Sequence, residues 1–155
     1  MAKCGNGYQM ALSWIPDKDG NVPQNALEAG GGMYIGRASH DGHMIPGKIV
    51  PSHHTSYIPH GGLEHAVRNY EVLCNSAVDG KKCYKWARSS GGTVPKCAIV
   101  AGLAEDGQPL YIARTEINGE CVVGKVHPGH TMAYFPYGGR EESKDSYEVL
   151  VWEKK

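Results

Sequence analysis

The chain contains two copies of one unit, and this repeat constrains its fold more than any other sequence feature. A block of shared residues recurs 77 positions later, joining Lys48 to Lys125 and ending in a common Tyr-Glu-Val-Leu sequence. Upstream, the shared residues lie 72 positions apart, as with Trp14 and Trp86. The difference places a five-residue insertion in copy 2, between positions 102 and 110. Since internal repeats of this length mark equivalent structural units, the copies are expected to share one fold.

A polar segment divides the two copies. Copy 1 is expected to span residues 14–73 and copy 2 residues 86–152, with residues 74–85 as a linker that turns at Asp79-Gly80. About sixty residues of short strands bury too little surface to be stable alone. The copies are therefore expected to pack together into one intimate, compact domain.

Glycine and proline interrupt the chain every few residues, with 21 and 9 occurrences among 155 residues. No segment sustains the spacing of an amphipathic helix, and the runs between the interruptions are rich in tyrosine, isoleucine and valine, which favour strands. Asp41-Gly42 and Asn118-Gly119 fall at equivalent positions and predict tight hairpin turns. The predicted fold is all-β, with two tandem pseudo-symmetric repeats of short antiparallel strands and at most one helical turn, at residues 62–69.

Composition excludes several classes of function. The 16 basic and 16 acidic side chains cancel, so no basic surface for nucleic acid is expected. No apolar run is long enough to span a membrane. The N-terminal residues lack the apolar core of a secretory signal, which predicts a cytoplasmic protein with non-classical secretion left open. Sequence motifs of known catalytic sites are absent, so neither enzyme activity nor a cofactor is expected.

The five cysteines are odd in number and none forms a CxxC pair. Reduced thiols are expected, and a bridge between Cys74 and Cys83 is the less favoured alternative. Six of the eight histidines lie in copy 1, and such clusters can bind metal. No acid or cysteine sits at conventional ligand spacing around them, so scattered surface histidines are expected and no metal site is predicted.

The repeated pattern reads Val-Pro-x-x-Ala, Tyr-Ile-x-Arg, Gly-Lys, Tyr-x-Pro-x-Gly-Gly-x-Glu and Tyr-Glu-Val-Leu. It resembles the DM-nine repeat family, whose repeats also occur beside pore-forming domains in natterin-like proteins. The resemblance covers residues 14–152. Stand-alone members with two repeats include cytosolic invertebrate lectins that bind mannose and mannose-rich glycans without calcium, act in innate recognition of microbes and often form dimers. The resemblance therefore implies mannose-type glycans as partners and a possible homodimer.

The resemblance also implies which residues hold the sugar. In the mannose-binding members, the lysine of the Pro-Gly-Lys motif works with an acidic residue in the loop before the Tyr-Ile-x-Arg strand. The lysine corresponds to Lys48 in copy 1 and Lys125 in copy 2. A solvated strand position is the alternative for both lysines.

The acidic residue has no clean counterpart. In copy 1 the loop is shortened to Gly31-Gly32 and carries no carboxylate. In copy 2, Ala104 stands at the expected position, and Glu105 and Asp106 follow it. Lys125 is therefore expected to work with Glu105 or Asp106.

Lys48 needs a carboxylate partner from outside its own shortened loop, and Glu64 or a residue of the other half is the nearest candidate. Glu64 and its counterpart Glu141 could cap the next segment or line a pocket, and the sequence leaves both open. A carboxylate accepts hydrogen bonds from adjacent sugar hydroxyls while an ammonium donates to the same oxygens, and such charge-assisted bonds are strong.

The repeated arginines, Arg37 and Arg114, are expected to be structural and to pair with Glu71 and Glu148. The leading functional hypothesis is thus a calcium-independent lectin. The alternative is a protein-interaction or scaffold module that has the same fold and binds no sugar.

Overall fold

The computed structural model describes residues 3–4, 7–8, 11–77 and 82–153. The turn predicted at Asp79-Gly80 lies outside these ranges. The strands are β1 (Lys3–Cys4), β2 (Gly7–Tyr8), β3 (Leu12–Lys18), β4 (Glu28–Gly30), β5 (Met33–His40), β6 (His43–Val50), β7 (Thr55–His60), β8 (Leu63–Val67), β9 (Asn69–Asn75), β10 (Tyr84–Ser90), β11 (Val100–Leu103), β12 (Pro109–Ile117), β13 (Glu120–Val126), β14 (Ala133–Tyr137), β15 (Arg140–Lys144) and β16 (Ser146–Trp152).

The prediction of an all-β fold is confirmed. Among the described residues, the only helical segment is a three-residue 3-10 turn at Pro51–His53. The sequence allowed one helical turn at residues 62–69. This prediction is wrong, because strand β8 occupies most of the segment and pairs with β7. Gly61 and Gly62 both have positive φ, which closes a two-residue hairpin there and leaves no helical turn.

The strands pair in an order that reads the same from both ends. The path runs β10-β16-β12-β13-β14-β15-β8-β7-β6-β5-β9-β3, and all pairs along it are antiparallel. By their position in the repeat, β3, β9, β5, β6, β7 and β8 correspond to β10, β16, β12, β13, β14 and β15. The two copies therefore meet at the β15–β8 junction, in a pseudo-two-fold arrangement. Strand β9 ends at Asn75 and β10 begins at Tyr84, so the strands extend into the linker expected at 74–85.

Equivalent lysines occupy equivalent backbone positions. Lys48 on β6 is paired with Tyr57 on β7, and Lys125 on β13 is paired with Tyr134 on β14. The 77-residue repeat therefore places both lysines in the same local structure.

A shared hydrophobic core joins the copies. Its fully buried side chains come from both halves: Leu27, Ala29, Ile35 and Leu73 from copy 1, and Ile99, Ala101, Ile112, Val123 and Leu150 from copy 2. Two further clusters are each built mainly from the strands of one copy, and Leu110 of copy 2 joins the copy 1 cluster. Because this central core is built from both halves, neither copy could bury its apolar face alone.

The glycine of each Gly-Lys motif allows two strands to approach closely. A Cβ atom at Gly47 would overlap the carbonyl oxygen of Tyr57, and one at Gly124 would overlap that of Tyr134. Neither glycine is required by a positive φ. The motif therefore serves first to bring β6 against β7, and β13 against β14, at the residue before each lysine.

The cysteines depart in part from the expectation of reduced thiols. Cys97 is disulfide-bonded, which corrects that expectation for this residue. Cys74 is a buried free thiol, so the Cys74–Cys83 bridge considered as an alternative is absent. The part of the chain that the structure describes holds no helix with the length and hydropathy that crossing a bilayer requires.

Candidate functional site

Two lysine–glutamate ion pairs occupy equivalent places in the copies. Lys48 Nζ lies 3.3 Å from Glu64 Oε2, and Lys125 Nζ lies 3.2 Å from Glu141 Oε2. The lysine side chains are only 7% and 13% exposed, and both glutamates are 12% exposed. The alternative of solvated strand lysines is therefore wrong: both ammonium groups are largely withdrawn from water and paired.

Each glutamate is fixed by the turn of the opposite copy. Glu64 Oε1 accepts a hydrogen bond from the N–H of Gly139 at 2.9 Å, and Glu141 Oε1 accepts one from the N–H of Gly62 at 3.1 Å. The backbone N–H groups of the same glutamates donate to the carbonyls of Gly139 and Gly62. The sequence left capping and pocket lining as alternatives, and the structure shows each glutamate bonded to a turn through one oxygen and to a lysine through the other.

Aromatic rings border the ammonium of Lys48. The Nζ atom lies 5.4 Å from the ring centre of Tyr57 and 5.3 Å from that of Tyr137, which belongs to copy 2. Burial raises the pKa of Tyr57, and the charge of Glu64 adds to the shift. Cation–π contacts at this range stabilise the ammonium in place.

The second site differs at one position, because His60 is the counterpart of Tyr137 in the repeat. Burial lowers the pKa of His60, and the positive charge of Lys125 lowers it further. A neutral imidazole therefore stands beside Lys125 at neutral pH, where a phenol ring stands beside Lys48. Both sites contain the same kind of lysine–glutamate ion pair, and they differ in the ring that lies beside the lysine.

Lys125 opens onto a pocket of about 370 Å³. Glu105 and Asp106 line the same pocket, together with Ala104, His60 and other residues. The expectation that Glu105 or Asp106 is the direct partner of Lys125 is corrected, since the ion pair of Lys125 is made with Glu141. Glu105 and Asp106 thus lie near Lys125, as the sequence predicts, but they do not form its ion pair.

Asp106 is held instead by its own loop and by a histidine. Its Oδ1 accepts the N–H of Gln108 at 2.9 Å, and its Oδ2 lies 3.1 Å from His127 Nε2. The backbone hydrogen bond from Gln108 is the main cause that lowers the pKa of Asp106, and His127 adds to it. The exposed carboxylate is therefore ionised and fixed at the rim of the pocket.

The ion pairs have hydrogen-bonding capacity left over. An ammonium carries three donors, and one carboxylate partner uses only part of that capacity. Glu141 Oε2 is buried and accepts no hydrogen bond of good geometry, although Lys125 is close. At Lys125 one hydroxyl can accept from Nζ, and an adjacent hydroxyl can donate to Glu105 or Asp106, the exposed acids of the same pocket.

The arginines form a separate, structural network, as expected. Each makes a short ion pair within its copy, a hydrogen bond to a backbone carbonyl of the other copy, and a stacking contact with a tryptophan. Arg37 contacts Glu71 at 2.7 Å, the Ala101 carbonyl at 2.9 Å and the Trp14 ring at 4.3 Å, while Arg114 contacts Glu148 at 2.8 Å, the Ala29 carbonyl at 2.6 Å and the Trp86 ring at 4.3 Å. These arginines therefore fasten the copies to each other.

A sequence model of DM9 repeats matches residues 29–144, three quarters of the chain. The chain belongs to the DM9 repeat family. It is similar to Natterin-4 of Thalassophryne nattereri, with 28% identity over 146 residues, covering 90% of this chain and 33% of that protein. It is also similar to Natterin-3 of the same species, with 36% identity over 62 residues, covering 40% of this chain and 16% of that protein.

The chain spans about a third of Natterin-4. Among solved structures it resembles the crystal structure of the nematode sperm cell motility protein MFP2B, with a TM-score of 0.67 and 15% sequence identity. That match covers 92% of this chain and 45% of the other. At this identity the likeness concerns the fold alone.

Proposed function

We propose that this DM9 repeat protein is a non-enzymatic, calcium-independent lectin that binds mannose or mannose-rich glycans in the innate recognition of microbes. The observation that carries the proposal is the pair of equivalent ion pairs, Lys48 with Glu64 and Lys125 with Glu141. Each holds a lysine ammonium in a fixed place as a donor, and at Lys125 the exposed acids Glu105 and Asp106 supply acceptors for an adjacent sugar hydroxyl. By the resemblance to cytosolic two-repeat lectins, the protein would act in the cytoplasm or after non-classical release.

The side chains of both lysine–glutamate ion pairs are held in position without a ligand. The opposite copy holds each carboxylate through a backbone N–H, and aromatic rings confine Lys48. Binding then costs little side-chain ordering, and the low exposure of the pairs strengthens each hydrogen bond made with them. A hydroxyl of the wrong orientation would leave a buried donor or acceptor unpaired, which supports discrimination among sugars.

The two sites are expected to differ in strength. Lys125 lines an open pocket whose rim carries Glu105 and Asp106, so a sugar there has further acceptors within the same cavity. Lys48 is less exposed than Lys125. The copy 2 site is therefore the stronger candidate for primary sugar contact.

Glycan binding is expected to persist in a chelator. A carboxylate engaged by lysine and by a backbone N–H has its charge already compensated, and the oxygen ligand set that Ca²⁺ prefers is not assembled at either pair. The check is a glycan array probed in EDTA and again with added calcium. Loss of mannose signal in EDTA that calcium restores would show that an ion holds the sugar.

Binding is also expected to depend on valency. Two sites per chain, and more in a homodimer, let weak contacts add up on a glycan-dense surface, raising avidity by roughly 10² to 10⁴ without new contacts. The protein should agglutinate mannan-coated particles while binding free mannose weakly. Titration calorimetry that finds equal affinity for mannose and mannan would contradict this expectation.

The second candidate function is a protein-interaction module that binds no sugar. It is favoured by the same low exposure, since each ion pair already satisfies its own charges within the fold. The array separates the two functions. If the folded protein binds no glycan, with or without calcium, the lysine–glutamate pairs serve only to hold the two copies together.

A further inference from the structure

Four histidines that are dispersed in the sequence come together at two hairpin tips of copy 1. His40 and His43 face each other across the Asp41-Gly42 turn that joins β5 to β6. His60 and His65 lie on the next hairpin, β7–β8. The expectation of scattered surface histidines is therefore wrong for these four residues.

Each of the four rings lies close to at least one of the others. The ring centres of His40 and His65 are 4.0 Å apart, those of His43 and His60 are 5.1 Å apart, and those of His40 and His60 are 5.2 Å apart. All four side chains are partly exposed, so a solute can reach them. Asp41 stands beside the cluster, with its Oδ2 3.5 Å from His40 Nε2.

The fold itself does not require this cluster. The corresponding hairpin tips of copy 2 are built with the same turns, and there the five positions hold Ile117, Asn118, Glu120, Tyr137 and Glu142. Copy 2 thus acts as an internal control: identical backbone elements form without a single histidine at these positions. The histidines of copy 1 therefore call for an explanation other than hairpin stability.

The ligand atoms have nearly the geometry of a metal centre. One ligand atom each from His40, Asp41 and His60 lie within 4.8 Å of one another. Ligand atoms on a tetrahedral Zn²⁺ lie about 3.4 Å apart, given bonds of about 2.1 Å. Small rotations of side chains at the exposed hairpin tips would close this difference. We propose that His40, Asp41 and His60 bind a late first-row transition metal ion, Zn²⁺ or Cu²⁺, with His43 in reach as a fourth ligand.

The chemistry of the donors selects the ion. Imidazole nitrogens suit Zn²⁺ and Cu²⁺, whereas Ca²⁺ and Mg²⁺ prefer an all-oxygen set, which this cluster does not offer. His65 Nε2 is engaged with the backbone carbonyl of His60 at 2.9 Å, which orients its ring beside that of His40. The metal site adjoins the Lys125 pocket, because His43 and His60 also line that pocket.

The test is a calorimetric titration of the full chain with Zn²⁺, and separately with Ca²⁺. We expect one saturable Zn²⁺ site per chain, no Ca²⁺ site, and an increase in the thermal unfolding midpoint with Zn²⁺. The variant His40→Gln/His60→Gln should weaken Zn²⁺ binding by at least about a hundredfold. Substitution of a residue that only orients a metal ligand already lowers metal affinity by about ten- to hundredfold, and this variant removes two ligands. Its unfolding midpoint without metal should match that of the parent, because copy 2 forms the same hairpins without histidine.

Matched controls locate the ion. His53→Gln removes an exposed histidine of copy 1 outside the cluster and should leave the titration unchanged. His127→Gln removes the other stacked pair of imidazoles, formed with His130, and should also leave it unchanged. The proposal is overturned if Zn²⁺ gives no saturable heat, if the double variant binds as tightly as the parent, or if His127→Gln alone abolishes binding.

Discussion

The double variant Lys48→Gln/Lys125→Gln is expected to lose binding to mannose-rich glycan by more than a hundredfold. Glutamine keeps a hydrogen-bond donor near the same place and removes the charge. A charge-assisted hydrogen bond contributes about 1.5 to 3 kcal/mol, which corresponds to roughly ten- to hundredfold in affinity at each site. Loss of both sites also removes the avidity that links them. The measurement is binding to immobilised mannan by surface plasmon resonance.

The single variants distinguish the two sites. Lys125→Gln should cost more affinity than Lys48→Gln, because Lys125 lines the open pocket with Glu105 and Asp106. If Lys48→Gln alone abolishes binding and Lys125→Gln has no effect, this pocket is not the sugar site, and Lys48 makes the sugar contact instead.

Controls must separate lost binding from lost stability. Either substitution leaves a nearly buried glutamate without its counter-charge, and breaking a buried pair from one side can cost about 3 to 5 kcal/mol. The variant Lys125→Gln/Glu141→Gln removes both charges and should unfold closer to the parent temperature. Lys85→Gln changes an exposed strand lysine and should alter neither binding nor unfolding. Glycan affinity is compared only among variants whose unfolding midpoints show a folded protein.

The repeat made the local structure predictable. Residues 77 positions apart have the same neighbours in the chain, so a feature predicted for one copy applied to the other. This held for the hairpin turns, for the strand that carries each lysine and for the arginine pairs with Glu71 and Glu148. These features depend on contacts within a copy. Short-range periodicity and turn chemistry determine them.

The sequence offered Glu64 as a partner of Lys48, which the ion pair confirms, and wrongly offered Glu105 or Asp106 for Lys125. The orientation of the two glutamates was harder to predict, because it depends on how the copies meet. Glu64 and Glu141 are oriented by glycine N–H groups of the opposite copy at the β15–β8 junction, and no pattern within one copy reveals that junction. Tyr137 reaches Lys48 for the same reason. The sequence did contain one clue: in both copies the glutamate follows an exposed two-glycine turn after one intervening residue.

The histidine cluster shows a different limit of sequence reasoning. His40 and His60 are twenty residues apart on two hairpins, so the spacing of ligands along the chain gave no sign of a site. What joins them is the pairing of β6 with β7, which sets the two hairpins side by side. Metal ligands recognised by chain spacing lie on one turn or one helix, and a site built across neighbouring hairpins has no such signature.

The largest expected effect on stability comes from Gly124→Ala in the Gly-Lys motif. The new Cβ would overlap the carbonyl oxygen of Tyr134 and lie 2.8 Å from Phe135 Cδ1, and Phe135 is fully buried. A backbone carbonyl cannot rotate aside as a side chain can, so β13 and β14 must separate and break ladder hydrogen bonds around Lys125. Overpacking of this kind typically costs about 1 to 3 kcal/mol and occasionally more, and here the loss of strand pairing adds to it.

The measurement is urea unfolding followed by tryptophan fluorescence, with Gly129→Ala as the matched control. Gly129 has a positive φ of 96° and open space around its Cβ position, so alanine there carries backbone strain of about 1 kcal/mol or slightly more and no overlap. We expect Gly124→Ala to lower the free energy of unfolding by several kcal/mol, at least twice the loss in Gly129→Ala. Equal losses in the two variants would mean that β13 and β14 can shift apart at little cost. The glycine before Lys125 would then not be what holds that lysine against Glu141.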